Sequence, residues 1–282
     1  MLLTLLWVVV ILAHVVLIWR ISSKEAMSDE DSSMLFMTGT LPGKGSLESI
    51  TRETWLISLD DQVDRRTEAL YHIKQSGITS VQTFIAQRSP KGGIHGCMDS
   101  HQKIIRSAYD RGVSTITIFE DDARIGAPVP PTLAAEVQSL LAADEARVVF
   151  LGHLMDPMMP VEVRTPNIVR VRGRVWMAHA YCLNRAAMKI IMGWKNSGDT
   201  HYDMLIANDP GLARFAVTPM IFHQCNCGTS VTTLIGVLQK WFSWPRAMRM
   251  CSNSASTPWL LWLAAGISVV SYAALAKHAL WK

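Results

Sequence analysis

No N-x-S/T acceptor for asparagine-linked glycan occurs anywhere in the 282 residues, which agrees with a chain whose main domain does not face the secretory lumen. Cysteine is scarce: five copies, an odd number without metal-ligand spacing except in CNC at 225–227, describe no disulfide framework. Residues 231–282 hold no Asp or Glu, against five Lys/Arg. There is no internal repeat and no stretch where basic and aromatic residues interleave, which excludes a nucleic-acid partner. The net charge of +4 does not reinstate one, because residues 51–230 carry nineteen basic against eighteen acidic side chains. The first fifty carry three against five, so the basic excess falls on the last segment. Beside an apolar run, each such Lys or Arg near anionic lipid is worth ~1 kcal/mol.

Two apolar runs are present. Residues 2–19, LLTLLWVVVILAHVVLIW, are broken only by Thr4 and His14, and residues 258–276, PWLLWLAAGISVVSYAALA, are broken by no charge. Both reach the length that crosses a hydrocarbon core of ~30 Å, and Trp259, Trp262, Tyr272 and Trp281 flank the second as interface aromatics do. The expectation is an integral membrane protein with an anchor over 1–22, a linker over 23–50, a catalytic domain over 51–230, an amphipathic segment over 231–257 and a second span over 258–276. A cleavable signal peptide is the rival reading of the first run, but no basic n-region precedes it and no small-x-small site follows. Arg20, Lys24, Lys240, Arg246 and Arg249 lie on the inner flanks of the two runs. By the positive-inside rule the domain between them faces the cytosol, with a lumenal ER or Golgi arrangement as the alternative. The segment 232–250 mixes Trp, Arg and apolar positions and reads either as interfacial or as packed on the domain.

Between the runs the pattern alternates. Strands are expected over 54–60, 79–86, 113–119, 147–152, 167–171, 178–184 and 213–224, and helices over 65–77, 100–112, 131–146 and 185–194. Repeated strand, helix, strand units with short joins imply an α/β fold with a mostly parallel sheet covered on both faces.

The stretch ITIFEDDA at 116–123 places Glu120, Asp121 and Asp122 directly after a buried strand. Ligands of open parallel sheets bind beyond the carboxyl ends of strands. Alternation along an extended chain sends Glu120 and Asp122 one way and Asp121 the other. Such a group can hold Mn2+ or Mg2+ while leaving positions for phosphate oxygens; a solvated acidic turn is the plainer reading.

The order of WLISLDDQVDRR (55–66), GCMDSH (96–101), ITIFEDDA (116–123), VVFLG (148–152) and AYCLNRAAMKII (180–191) resembles glycosyltransferase family 25. That family includes lipooligosaccharide galactosyltransferases and collagen hydroxylysine galactosyltransferases, and the likeness runs over residues 54–225. It implies a GT-A type, Rossmann-like fold, here flanked by N- and C-terminal transmembrane helices, a UDP-sugar donor carrying galactose or glucose, Mn2+ dependence and transfer with inversion. By the same resemblance, Glu120 and Asp122 are metal ligands and Asp121 a ligand or donor-sugar contact. Asp64, Arg65 and Arg66 correspond to the family's DRR element at the donor diphosphate, although Ser58 stands where the family usually has Asn. Ser100 and His101 would line the donor pocket; read alone, Ser100 is an N-cap and His101 a first-turn residue. An inverting transferase needs a base for the acceptor hydroxyl, and Asp203 in GDTHYDMLIAND (198–209) is the candidate. Its plainer reading is a solvent-facing side chain beside a helix capped by Asp199. His153 and His179, at strand ends, read as structural. The acceptor could be a glycan, a lipid-linked sugar or a protein. Two rival functions are a membrane scaffold of the same fold without turnover and a metal-dependent phosphohydrolase.

Overall fold

Alternation along ETWLISL sets the first strand: Thr54, Leu56 and Ser58 are buried on one face, while Trp55 and Ile57 are half-buried against the core on the other. A computed structural model describes residues 45–155 and 161–225, and these make up a layered α/β unit. The strands are β1 (Glu53–Leu59), β2 (Gln82–Ala86), β3 (Thr115–Glu120), β4 (Ala123–Ile125), β5 (Arg147–Met155), β6 (Val161–Thr165), β7 (Ile168–Val171), β8 (Val175–Asn184), β9 (Ala213–Val217) and β10 (Phe222–Gln224). The helices are α1 (Val63–Gln75), α2 (Gly93–Asp110), α3 (Leu133–Leu141), α4 (Arg185–Met192) and α5 (Tyr202–Asn208).

Eight strands form one sheet in the order β2-β1-β3-β8-β5-β9-β7-β6, and β10 pairs with β4 in a second, two-stranded sheet. In the large sheet β1 runs parallel to β2 and β3, and β5 parallel to β9, while β8 and β7 run against their neighbours. Six strands therefore share one direction and two oppose it, a mixed sheet in which the expected parallel character survives on both sides of β8. Apolar side chains cover each face. On one, Leu56, Phe119, Val149 and Phe215 meet Ala69 and Ile73 of α1 and Leu133, Val137 and Leu141 of α3. On the other, Ile118, Phe150 and Tyr181 meet Ile104 and Ile105 of α2, Met188 and Ile191 of α4 and Ile206 of α5. Fully burying each such side chain is worth ~1.5–3 kcal/mol. Leu47 and Ile50 belong to the first of these cores, and Glu48 anchors the same stretch by accepting from the Thr79 hydroxyl at 2.7 Å.

Three expectations differ from the structure. α2 begins at Gly93 rather than at residue 100, because Gly92, at φ 97°, makes the turn into the helix. Gly96 is kept there by a close approach: a Cβ on it would lie 3.1 Å from that of Ser89. The last strand is divided into β9 and β10 by a turn at Pro219, which has no N–H to give a ladder. Cys225 is disulfide-bonded, whereas Cys97 and Cys182 are free thiols.

The expectation of an integral membrane protein, and with it the cytosol-facing placement, is corrected: among the described residues no helix is long and apolar enough to cross a membrane. The runs at 2–19 and 258–276 on which it rested, and the segment 231–257, lie outside the described residues.

Candidate active site

β3 delivers the acidic residues. Ile116 to Phe119 are buried, the strand ends at Glu120, and Asp121 and Asp122 form the turn into β4. Because the strand stops there, its alternation stops too, which corrects the expected facing of the three side chains. Asp121 and Asp122 both turn toward α1, where Arg65 Nη2 lies 2.5 Å from Asp121 Oδ1 and 3.5 Å from Asp122 Oδ2. Glu120 turns toward α2, with Oε1 at 3.0 Å from His101 Nε2.

The turn is held from three directions. β10 lies antiparallel on β4, so that Gln224 donates its side-chain amide to Asp122 Oδ2 at 2.7 Å and Cys225 N–H donates to the Asp122 carbonyl at 2.8 Å. Buried Arg124 donates to the Asp121 and Ala123 carbonyls at 3.0 Å each and reaches Glu68 of α1 at 2.6 Å. Arg66 braces the β1 exit by donating to the Leu59 carbonyl at 3.0 Å and to Ser58 Oγ at 3.3 Å. Ser58, buried, donates its own hydroxyl to the Leu59 carbonyl at 3.2 Å.

Charge is crowded here. Burial, followed by the charges of Asp122, Asp121 and Asp203, pushes the Glu120 carboxyl well above its usual range, against the opposing pull of Arg65. Burial also raises Asp122, with Gln224 and Arg65 holding it down, and raises Asp121 against Arg65. Asp122 Oδ1 is buried and has no hydrogen-bond partner. An acceptor oxygen without a donor, in a group of carboxylates that raise one another, fits a hard divalent cation, which takes oxygen ligands and supplies the missing positive charge. Glu120 and Asp122 are the side chains that would hold it, while Asp121 is already committed to Arg65.

His101 is fully enclosed. Burial lowers its pKa to about 3, so the ring is neutral. Nδ1 meets Tyr181 Oη at 2.8 Å, Tyr181 Oη meets Tyr202 Oη at 2.8 Å, and the Tyr202 ring stacks on the imidazole at 4.1 Å and 7°. A neutral imidazole donates through one nitrogen and accepts through the other, so the chain from Glu120 to Tyr202 runs in one direction for a given protonation of Glu120.

Asp203 stands in the first turn of α5 and accepts from Met177 N–H at 3.4 Å. Met177 is the one non-glycine described residue with positive φ, at 75°, and such strained residues collect at functional sites. The Asp203 charge raises both Glu120 and Cys97, which places it near them.

Not every expected residue arrives. Asp64 is exposed in the first turn of α1 and makes no hydrogen bond or ion pair with another described residue. Ser100 sits in mid-helix with its hydroxyl donated to the Gly96 carbonyl at 2.8 Å, so it is neither an N-cap nor open to a ligand. Asp199 caps no helix, since His201 occupies the N-cap of α5. His153 and His179 use Nε2 on the Val217 and Phe222 carbonyls, at 2.8 and 3.3 Å, and fasten the β9–β10 segment to the sheet. Tyr181, Tyr202 and Gln224 were not anticipated. The two tyrosines lie in the quoted motifs as aromatics of no special spacing, and Gln224 becomes a neighbour of Asp122 only through the β4–β10 pairing.

No family model and no curated protein sequence matches the chain. Among solved structures it is similar to a glycosyltransferase involved in the glycosylation of the major capsid of PBCV-1, at 10% identity and TM-score 0.38, over 67% of this chain and 100% of the other. It is also similar to mannose-1-phosphate geranyltransferase from Thermus thermophilus, at 12% identity and TM-score 0.36 over 60% of this chain. There it spans only 59% of the other protein's length. A putative glucose-1-phosphate thymidylyltransferase from Bacillus anthracis in complex with a sucrose gives 12% identity and TM-score 0.37 over 69% and 95%. At such scores these likenesses carry no assignment, and function is read from the side chains.

Proposed function

We propose that the chain is a sugar-nucleotide-dependent transferase, moving a hexose from a UDP-sugar to an acceptor hydroxyl with the help of a divalent cation. The observation that carries this reading is the buried, unpartnered Asp122 Oδ1 beside Glu120 at the carboxyl end of β3, with Arg65 fixed on the neighbouring Asp121. The resemblance of the five motifs to glycosyltransferase family 25 supports the donor class and the inverting course.

Asp122 and Glu120 would hold Mn2+ or Mg2+, which supplies Lewis acidity to the leaving diphosphate when bound. Arg65 keeps Asp121 oriented, and its side chain, 22% exposed, would reach phosphate oxygens of the donor. Arg66 holds the β1–α1 turn in place for the nucleotide. Asp203 takes the proton of the acceptor hydroxyl; that oxygen attacks the anomeric carbon, the bond to the diphosphate breaks, and UDP leaves. A single displacement of this kind inverts the anomeric centre. His101, neutral and tied to Tyr181, holds Glu120 by a hydrogen bond.

The test is UDP release by the full chain across a panel of nucleotide sugars, with and without Mn2+. Metal-dependent release from one UDP-hexose, reduced in Asp203→Asn, is the expected result. Folded protein that neither binds UDP nor turns over any donor would overturn the reading.

A further inference from the structure

On the α2 side of Glu120 a second set of donor atoms converges. Cys97 Sγ, a ring nitrogen of His101 and a carboxylate oxygen of Glu120 all lie within 4.8 Å of one another. Cys97 and His101 are four residues apart on α2 and so share one face of the helix, and β3 ends by aiming Glu120 at that face. The spacing is close to that of ligands around one ion. His101 Nε2 and Glu120 Oε1 are 3.0 Å apart, and two ligands at ~2.1 Å from a tetrahedral ion stand about 3.4 Å apart.

The surroundings suit a ligating imidazole. Metal-bound histidines usually give their other ring N–H to an acceptor that fixes tautomer and orientation. His101 Nδ1 has such a partner in Tyr181 Oη at 2.8 Å, and Tyr181 can in turn give its own proton to Tyr202 Oη at 2.8 Å. The stacked Tyr202 ring restrains rotation of the imidazole. Cys97 is open to solvent on one side, which gives an ion a way in. Negative charge exceeds positive around the thiol: Glu120, Asp203 and Asp122 all bear on it, and Arg65 is spent on Asp121 at 2.5 Å.

We propose that Cys97, His101 and Glu120 form a thiolate, imidazole and carboxylate site for a borderline divalent ion of the Zn2+ class, with a fourth position open. Sulfur and nitrogen donors select such an ion over Mg2+ or Mn2+, and three protein ligands with one free position are the arrangement of zinc sites that activate water or polarise a substrate oxygen. The site shares Glu120 with the hard-cation site described above but does not rest on the transferase reading, because Cys97 and His101 are not ligands of the hard ion.

Co2+ serves as the probe in the full, metal-stripped chain. The expected result is a thiolate-to-cobalt charge-transfer band that saturates at one equivalent and is displaced by Zn2+. Cys97→Ser abolishes the band while circular dichroism shows a folded protein, whereas Cys182→Ala and Asp122→Asn retain it. Tyr181→Phe, which removes the hydroxyl that partners both His101 Nδ1 and Tyr202 Oη, weakens Zn2+ binding about 10- to 100-fold. Absence of the band in folded wild-type chain, or its persistence in Cys97→Ser, overturns the proposal. A chain that binds Co2+ in this way yet neither binds UDP nor turns over any donor would sink the transferase reading and leave the site standing.

Discussion

At Asp122 the two carboxylate oxygens have different fates: Oδ2 accepts from Gln224 and Oδ1 has no donor. Asp122→Asn keeps an oxygen for Gln224 and removes a charge that burial already disfavours. Thermal denaturation of this variant is expected to give a midpoint no lower than wild type, because relief of repulsion with Glu120 offsets any loss of packing. Its Mn2+-supported UDP release should fall by about 100-fold or more, the scale on which preorganised charge acts in catalysis; unchanged release would remove Asp122 from the metal. Arg65 behaves in the opposite sense. Asp121 is 7% exposed, and Arg65→Ala would leave its carboxylate buried without its ion-pair partner. A loss of about 2 kcal/mol in urea unfolding is expected, and the double variant Arg65→Ala, Asp121→Asn should recover most of it. Equal losses in the single and double variants would show that Arg65 acts through packing.

Among the elements, α4 depends on one side chain. Asn184 ends β8 and caps α4, accepting from Ala187 N–H at 3.1 Å and Arg147 N–H at 3.0 Å while donating to the Ala143 and Glu145 carbonyls at 2.9 and 2.7 Å. At 3% exposure, its replacement by Ala leaves several buried groups unpartnered. Asn184→Ala should therefore lower stability by about 3 kcal/mol while UDP binding survives at reduced temperature, and a loss under about 0.5 kcal/mol, the scale of a surface change, would argue that water replaces the amide. Such a cap is visible in the order LNRAAMKII. Likewise β1, β3 and β5 are visible as alternating or continuously apolar runs, and α3 in the spacing of Leu133, Val137 and Leu141. What could not be read is where elements begin against their neighbours. Gly92, Gly93 and Gly96 resemble a loop until Ser89 is seen packed on Gly96. The facing of Asp121 and Asp122 depends on where β3 stops, and that is fixed by the pairing of β4 with β10, about a hundred residues further along the chain.

Taken as a whole, the molecule carries its catalytic reading at one end of the sheet and part of its acid sensitivity in two imidazoles, His153 at the end of β5 and His179 in β8. Burial lowers both to about 4 from the ordinary 6.5, and each Nε2–H is given to a backbone carbonyl. Their role as structural residues was legible from sequence only as a default, since nothing there showed that both would fasten the β9–β10 segment. The sign of their effect on stability follows from the depressed folded-state pKa. Between about pH 6.5 and 4 the unfolded chain binds protons that the folded chain refuses, so stability falls as pH falls through this window and is fully present above it. Each imidazole contributes a slope of up to ~1.4 kcal/mol per pH unit. Glu120, Asp121 and Asp122 act oppositely, because raised carboxyls bind protons more readily when folded, so the wild-type curve alone mixes the two. The difference between wild type and His153→Gln separates them, since the carboxylates are common to both. Urea unfolding across pH 4 to 7 should show the two curves diverging above pH 4 by up to about 3 kcal/mol and running parallel above about pH 6.5. Curves that run parallel across the whole range would mean that His153 titrates alike in the folded and unfolded chain and adds nothing to the acid sensitivity of the fold.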